Sequence, residues 1–188
     1  MKLMKLFNFL NNIKLMEFPE LRQSYSYDCG ASALQGVFFY YGFEPREVDL
    51  VKELNVDPEI GAEPADIVRV CKKYGLRAET RENMTIDDLK KNVDAGVPTL
   101  LIVQAWPDKP VDWEMEYDWA HYVVAIGYDD KRVYFEDPAS TIRTWLTYDE
   151  LNKRWHAYED QEKKSDHFGI EIYGKPSGFH HQKVEHMD

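Results

Sequence analysis

Cys29 sits where a polar run gives way to an apolar helical pattern: Gln23-Ser24-Tyr25-Ser26-Tyr27-Asp28-Cys29-Gly30-Ala31-Ser32-Ala33-Leu34. A thiol in the first turn of a helix meets unpaired N–H groups and the positive end of the helix dipole, and both favour the thiolate. Asp28 has the type of an N-cap, and Gly30 leaves the backbone open beside the sulfur. Upstream, Gln23 can offer an amide N–H to a developing oxyanion. A nucleophile needs a base, and His121 stands at the head of the apolar run Tyr122-Val123-Val124. An acid able to orient that base follows in Asp137-Pro138. Cysteine, histidine and acid in this order are the parts of acyl transfer through a thioester.

Each residue also has a plainer reading. A lone cysteine is most often a small buried hydrophobe, and Cys71 fits that description. It shares a helical face with Ile67 and Tyr74 and has no polar constellation around it. By the same reading His121 is a satisfied core histidine, Asp137 is a turn residue before a proline, and Gln23 is a surface residue. Asp28 competes with Asp137 as the orienting acid, but its position makes it the helix cap.

The positioning elements follow from periodicity and punctuation. Residues 17–27 read as extended, because Phe18-Pro19 disfavours helix. The nucleophile helix runs from Cys29 to about Tyr41 and stops at Gly42; it is apolar on most sides, as a central buried helix is. Further helices are expected over 46–54, from Pro64 to Gly75, and from Thr85 to about Gly96. Strands are expected over 76–80, 97–105 and 119–128, then, through a turn at 129–131, over 133–135, and further on over 141–146 and 168–173. A capping box at Thr147 to Glu150 starts a helix reaching about Tyr158. Helices first and antiparallel strands after make an α+β layout, with the nucleophile on the first half and base and acid on the second.

The 188 residues suit one domain with its own core. Lys and Arg number 23 against 34 Asp and Glu, a formal charge of −11, which argues against nucleic acid and anionic membrane surfaces as partners. Two cysteines form no disulfide framework, so a reducing, cytoplasmic setting is the expectation. No stretch approaches the roughly 20 apolar residues that span a bilayer. Residues 1–16 carry Leu3, Leu6, Phe7, Leu10 and Ile13 at helical spacing and read as an amphipathic extension, with weak membrane-surface association as the minority reading. Residues 17–174 are the domain, and 175–188 a polar tail. His180, His181 and His186 in that tail lack a scaffold for more than adventitious metal binding. No metal and no cofactor is called for.

Gln23 with Asp28-Cys29-Gly30, His121 with Tyr122-Val123-Val124-Ala125-Ile126-Gly127, and Asp137-Pro138-Ala139 together resemble the papain-like cysteine peptidases of the bacteriocin-processing, double-glycine leader peptidase type. Gly61-Ala62-Glu63 and Gly75-Leu76 add to the likeness, which spans roughly 18–146. The resemblance implies a papain-like fold and peptidase activity on a peptide or protein substrate. By position it makes Cys29 the nucleophile, His121 the general base, Asp137 the orienting acid and Gln23 the oxyanion-hole residue. A freestanding form is expected, since no transporter segments follow in this sequence. The alternatives are an amidase or acyltransferase of the same fold, and a noncatalytic peptide-binding module. Residues 106–118 carry five acids and two tryptophans just before His121. They are expected to rim the cleft, either as a solvated loop with aromatic anchors or as a lip that selects cationic or aromatic substrates.

Overall fold

The computed structural model describes residues 13–159 and 163–175, with Val184 and Met187. After a two-residue strand β1 (Lys14–Leu15) come α1 (Cys29–Tyr40), α2 (Glu47–Glu53), α3 (Pro64–Lys73), β2 (Arg77–Arg81) and α4 (Ile86–Asp94). Strands β3 (Thr99–Gln104), β4 (Ala120–Tyr128), β5 (Arg132–Glu136) and β6 (Thr144–Thr147) follow, then α5 (Tyr148–Arg154), a hairpin of β7 (His156–Glu159) with β8 (Lys163–Asp166), and β9 (Gly169–Tyr173). This is the expected α+β arrangement.

Local chemistry sets the boundaries. Pro64 opens α3, where its missing N–H costs nothing, and the chain leaves that helix through Gly75 at φ 78°. Thr85 with Asp88, and Thr147 with Glu150, form reciprocal capping boxes at α4 and α5. Asp28 departs from the expected cap: its carboxylate makes no bond to α1 and instead accepts the Tyr25 N–H at 3.0 Å. It closes the loop before Cys29.

Seven strands form one sheet, ordered β2-β9-β3-β4-β5-β6, with β1 added beside β4. β3 to β6 make the expected meander. β9 does not extend it; it lies between β2 and β3, antiparallel to both. Successive residues on β4 face opposite sides of the sheet, and both sides are covered. Tyr122, Val124 and Ile126 pack with Leu34, Val37 and Phe38 of α1, while Val123 and Ala125 pack with Phe135, Leu151 and Trp155. Covering on both sides is why β4 reads as an unbroken apolar run.

Two expectations change here. The helix expected to reach Tyr158 ends at Arg154, because the buried Trp155 donates its indole N–H to the Phe168 carbonyl at 2.7 Å and turns the chain into β7. The amphipathic helix placed over 1–16 lies outside the described residues as far as residue 12; Lys14 and Leu15 pair as strand with Tyr128 and Gly127, and Met16 is buried. The histidines of the tail also lie outside the described residues.

Candidate active site

α1 lies against β4, and its second residue, Gly30, sits beside Tyr122 near the start of that strand. Its body is buried from Gly30 to Phe38, whereas Cys29 stays half-buried at the open end. Gly30 permits this close seating. A Cβ there would stand 2.8 Å from Ala62 Cβ and 3.1 Å from the Tyr122 ring. The Tyr122 hydroxyl donates to the Ala62 carbonyl at 3.1 Å, tying β4 to the loop that leads into α3.

His121, at the start of β4, is buried, and its Nε2 lies 2.7 Å from Asp137 Oδ1. With Nε2 committed to the carboxylate, Nδ1 is the ring nitrogen left for the sulfur. Burial lowers the histidine's pKa, but hydrogen bonding to Asp137, hydrogen bonding to Cys29 and the charges of both outweigh it and lift the value to about 9. Asp137, just past β5, is 3% exposed and fully engaged. Oδ1 also accepts the Ala139 N–H at 2.9 Å; Oδ2 accepts the Trp106 indole N–H at 3.1 Å and the Thr144 hydroxyl at 3.2 Å. Burial alone raises its pKa, yet these donors and the histidine bring it below the usual carboxylate range. The imidazole is thus held by a carboxylate that is itself held. Asp28, the competing acid, faces the Tyr25 backbone instead.

Gln23 is brought to the same corner by its backbone, whose N–H donates to the Pro138 carbonyl at 2.9 Å. One hydrogen of its side-chain amide goes to the Tyr25 carbonyl at 2.5 Å, and Oε1 is buried without a partner among the described residues. The second Nε2 hydrogen is uncommitted. Cys71 lies elsewhere in the core, fully buried, where desolvation pushes its thiol up to about 12.

Cys29 opens onto a cleft of about 580 Å³. Ile102, Ala120, Tyr122 and Phe168 give it an apolar side, and Glu59, Glu63 and Asp118 also line it. The hairpin β7–β8 contributes Ala157, Tyr158 and Ser165. From the acidic loop, Tyr117 and Asp118 reach the cleft, and the loop's base is clamped. Gln104 accepts the Trp119 N–H at 2.9 Å and donates to the His156 carbonyl at 2.9 Å, while His156 Nε2 donates to the Glu116 carbonyl at 2.7 Å. Trp106 occupies the left-handed region at φ 56°, costly for a bulky side chain, and that conformation accompanies its bond to Asp137. Sequence reading passed over Trp106 and Thr144 as partners of the acid. Thr144 carries no signal at all, and Trp106 stood out only as an aromatic in an acidic loop.

The Peptidase C39-like family model matches residues 15–163. The chain belongs to this family. As a C39-like protein it is a cysteine peptidase by class. No curated protein sequence matches it. Among solved structures, one described as a C39-like peptidase from Bacillus anthracis is similar at 20% identity, covering 88% of this chain and 99% of that one, with a TM-score of 0.66. A double glycine motif protease from an AMS/PCAT transporter, in complex with the leader peptide, is 18% identical over 87% of this chain and 94% of that one, with a TM-score of 0.62. The peptidase domain of Streptococcus ComA, a bifunctional ABC transporter involved in quorum sensing, is 18% identical over 82% and 97%, also at 0.62. These likenesses show that the C39-like chain has the papain-like fold of those peptidases. Among the described residues no helix is long and apolar enough to cross a membrane.

Proposed function

We propose that this C39-like protein cleaves peptide bonds with Cys29, His121 and Asp137 as a triad and Gln23 as an oxyanion donor. One observation carries the reading: His121 gives Nε2 to the buried Asp137 at 2.7 Å and keeps its other nitrogen for Cys29, at the wall of an open cleft. The Cys29 thiolate attacks the scissile carbonyl, forming a C–S bond and an oxyanion. The second Nε2 hydrogen of Gln23 and the Cys29 backbone N–H receive that oxyanion. As the intermediate collapses, the C–N bond breaks and His121 gives its proton to the leaving amine. A water then attacks the thioester, His121 takes its proton, and the thiolate leaves with the acid product released.

Asp137 keeps the imidazole in one orientation and stabilises its charged form throughout. A peptide occupies the cleft, with apolar side chains on Ile102 and Phe168.

Digestion of a peptide library read by mass spectrometry tests the reading. Wild type should yield cleaved peptides, and Cys29→Ala should yield none while keeping the wild-type circular dichroism spectrum. Turnover by a purified, folded Cys29→Ala variant refutes the triad. Conversion of an added amine to a new amide, in place of hydrolysis, assigns the same chemistry to acyl transfer.

A further inference from the structure

Glu136 is a buried carboxylate that the proposed chemistry does not use. It is the last residue of β5, next to Asp137, and 5% exposed. It pairs with Val124 across the ladder, so it faces the α1 side of the sheet. Oε1 accepts the Leu21 N–H at 2.9 Å, and Oε2 is buried with no hydrogen-bond partner among the described residues. An orphaned buried carboxylate oxygen costs stability and calls for a reason.

The partner of Glu136 supplies one. Leu21 belongs to the extended segment 18–23, which lies against residues 136–143. Arg143 donates to the Phe18 carbonyl at 3.1 Å, Arg22 donates to the Ala139 carbonyl at 2.8 Å, and Gln23 N–H donates to Pro138. Glu136 is the buried one of these anchors. The charged groups around it are Arg143, Glu20 and Asp137; Arg143 also lies 3.6 Å from Glu20.

We infer that Glu136 is a positioning residue for the Gln23 oxyanion donor: it fixes segment 18–23 against the loop that carries Asp137, and so sets the distance between the Gln23 amide and Cys29. This rests on the reading of Gln23 given above. Burial, offset in part by the Leu21 N–H and Arg143, raises the carboxyl's pKa to about 7 against an ordinary 4.5. Its stabilising contribution is therefore present below pH 4.5 and lost as pH rises through about 7. Above that value the protein holds an ionised Glu136 at the expense of stability.

Glu136→Gln separates a positioning role from a structural one. The variant keeps a carbonyl for the Leu21 N–H but loses the negative charge that holds Arg143, and through Arg143 the Phe18 carbonyl, against the loop. At pH 8 its Tm should rise, because the buried charge at position 136 is gone. Its kcat should fall about tenfold with KM nearly unchanged, since small displacements of a catalytic donor are costly. In the wild type, ionisation of Glu136 should add a rise in kcat near pH 7, and that step should be absent from the variant. Gln23→Ala alone should cost about a hundredfold, and the double variant should be no slower than Gln23→Ala. Additive losses in the double variant, or a Glu136→Gln enzyme with wild-type kcat across the pH range, overturn the inference. An unimpaired Gln23→Ala enzyme instead removes the oxyanion reading itself, and the positioning role with it.

Discussion

His121 and Asp137 depend on each other. The histidine's raised pKa, about 9, means that its proton is retained well above neutrality, as the proposed protonation of a leaving amine requires. The folded value lies above the ordinary 6.5, so the pair's stabilisation is complete below about pH 6.5 and lost as pH rises through about 9. Activity should therefore fall on the alkaline side near pH 9. Asp137→Asn removes the negative charge while preserving shape, so the alkaline limb of kcat/KM should move to lower pH and the rate should drop. A pH–rate profile of the variant superimposable on the wild type would separate Asp137 from the imidazole. These residues were legible by type and order: a cysteine opening an apolar helix, a histidine heading an apolar strand and an Asp-Pro pair. The supporting donors were not. Trp106 and Thr144 are brought to Asp137 by loop geometry and strand register, neither of which leaves a mark in local sequence.

At the scale of elements, α1 can present Cys29 only because the loop at Ala62 and the Tyr122 ring come right up to Gly30. Gly30→Ala places a methyl group 2.8 Å from Ala62 Cβ, and neither neighbour is the far end of a flexible chain. The helix start must shift or the loop must open. The cost expected for such overpacking is about 1–3 kcal/mol, seen as a lower Tm, with kcat/KM falling alongside. An unchanged Tm and rate would show that the seating is looser than it looks. Helix positions were readable because Pro64, Thr85, Thr147 and the flanking glycines are explicit signals. The hairpin of β7 and β8 was not, since its first strand continues directly from a helix whose stop is the burial of Trp155 and its bond to Phe168, a contact made only once the hairpin has folded back.

Considered whole, the molecule is acidic, with a formal charge of −11, and acids also line its cleft at Glu59, Glu63 and Asp118. A field of one sign in a walled cleft concentrates ligands of the other. Lysine-rich peptides should be cut faster than glutamate-rich ones at low salt, by about tenfold, and the gap should narrow as the Debye length shrinks to about 8 Å at 0.15 M salt. Equal rates at low salt would leave the acids as mere solubility. The α+β class was legible because helix and strand patterns fall in separate halves of the chain. The order of the sheet was not, since β9 returns to neighbours laid down long before it.

That return has a consequence for how the enzyme comes into being. On a ribosome, the domain emerges as far as residue 168 with β2 and β3 facing a gap that only residues 169–173 can fill. Maturation then waits on its final stretch: a nascent chain halted short of Gly169 displays bare backbone edges on β2 and β3, prone to mispairing with other chains.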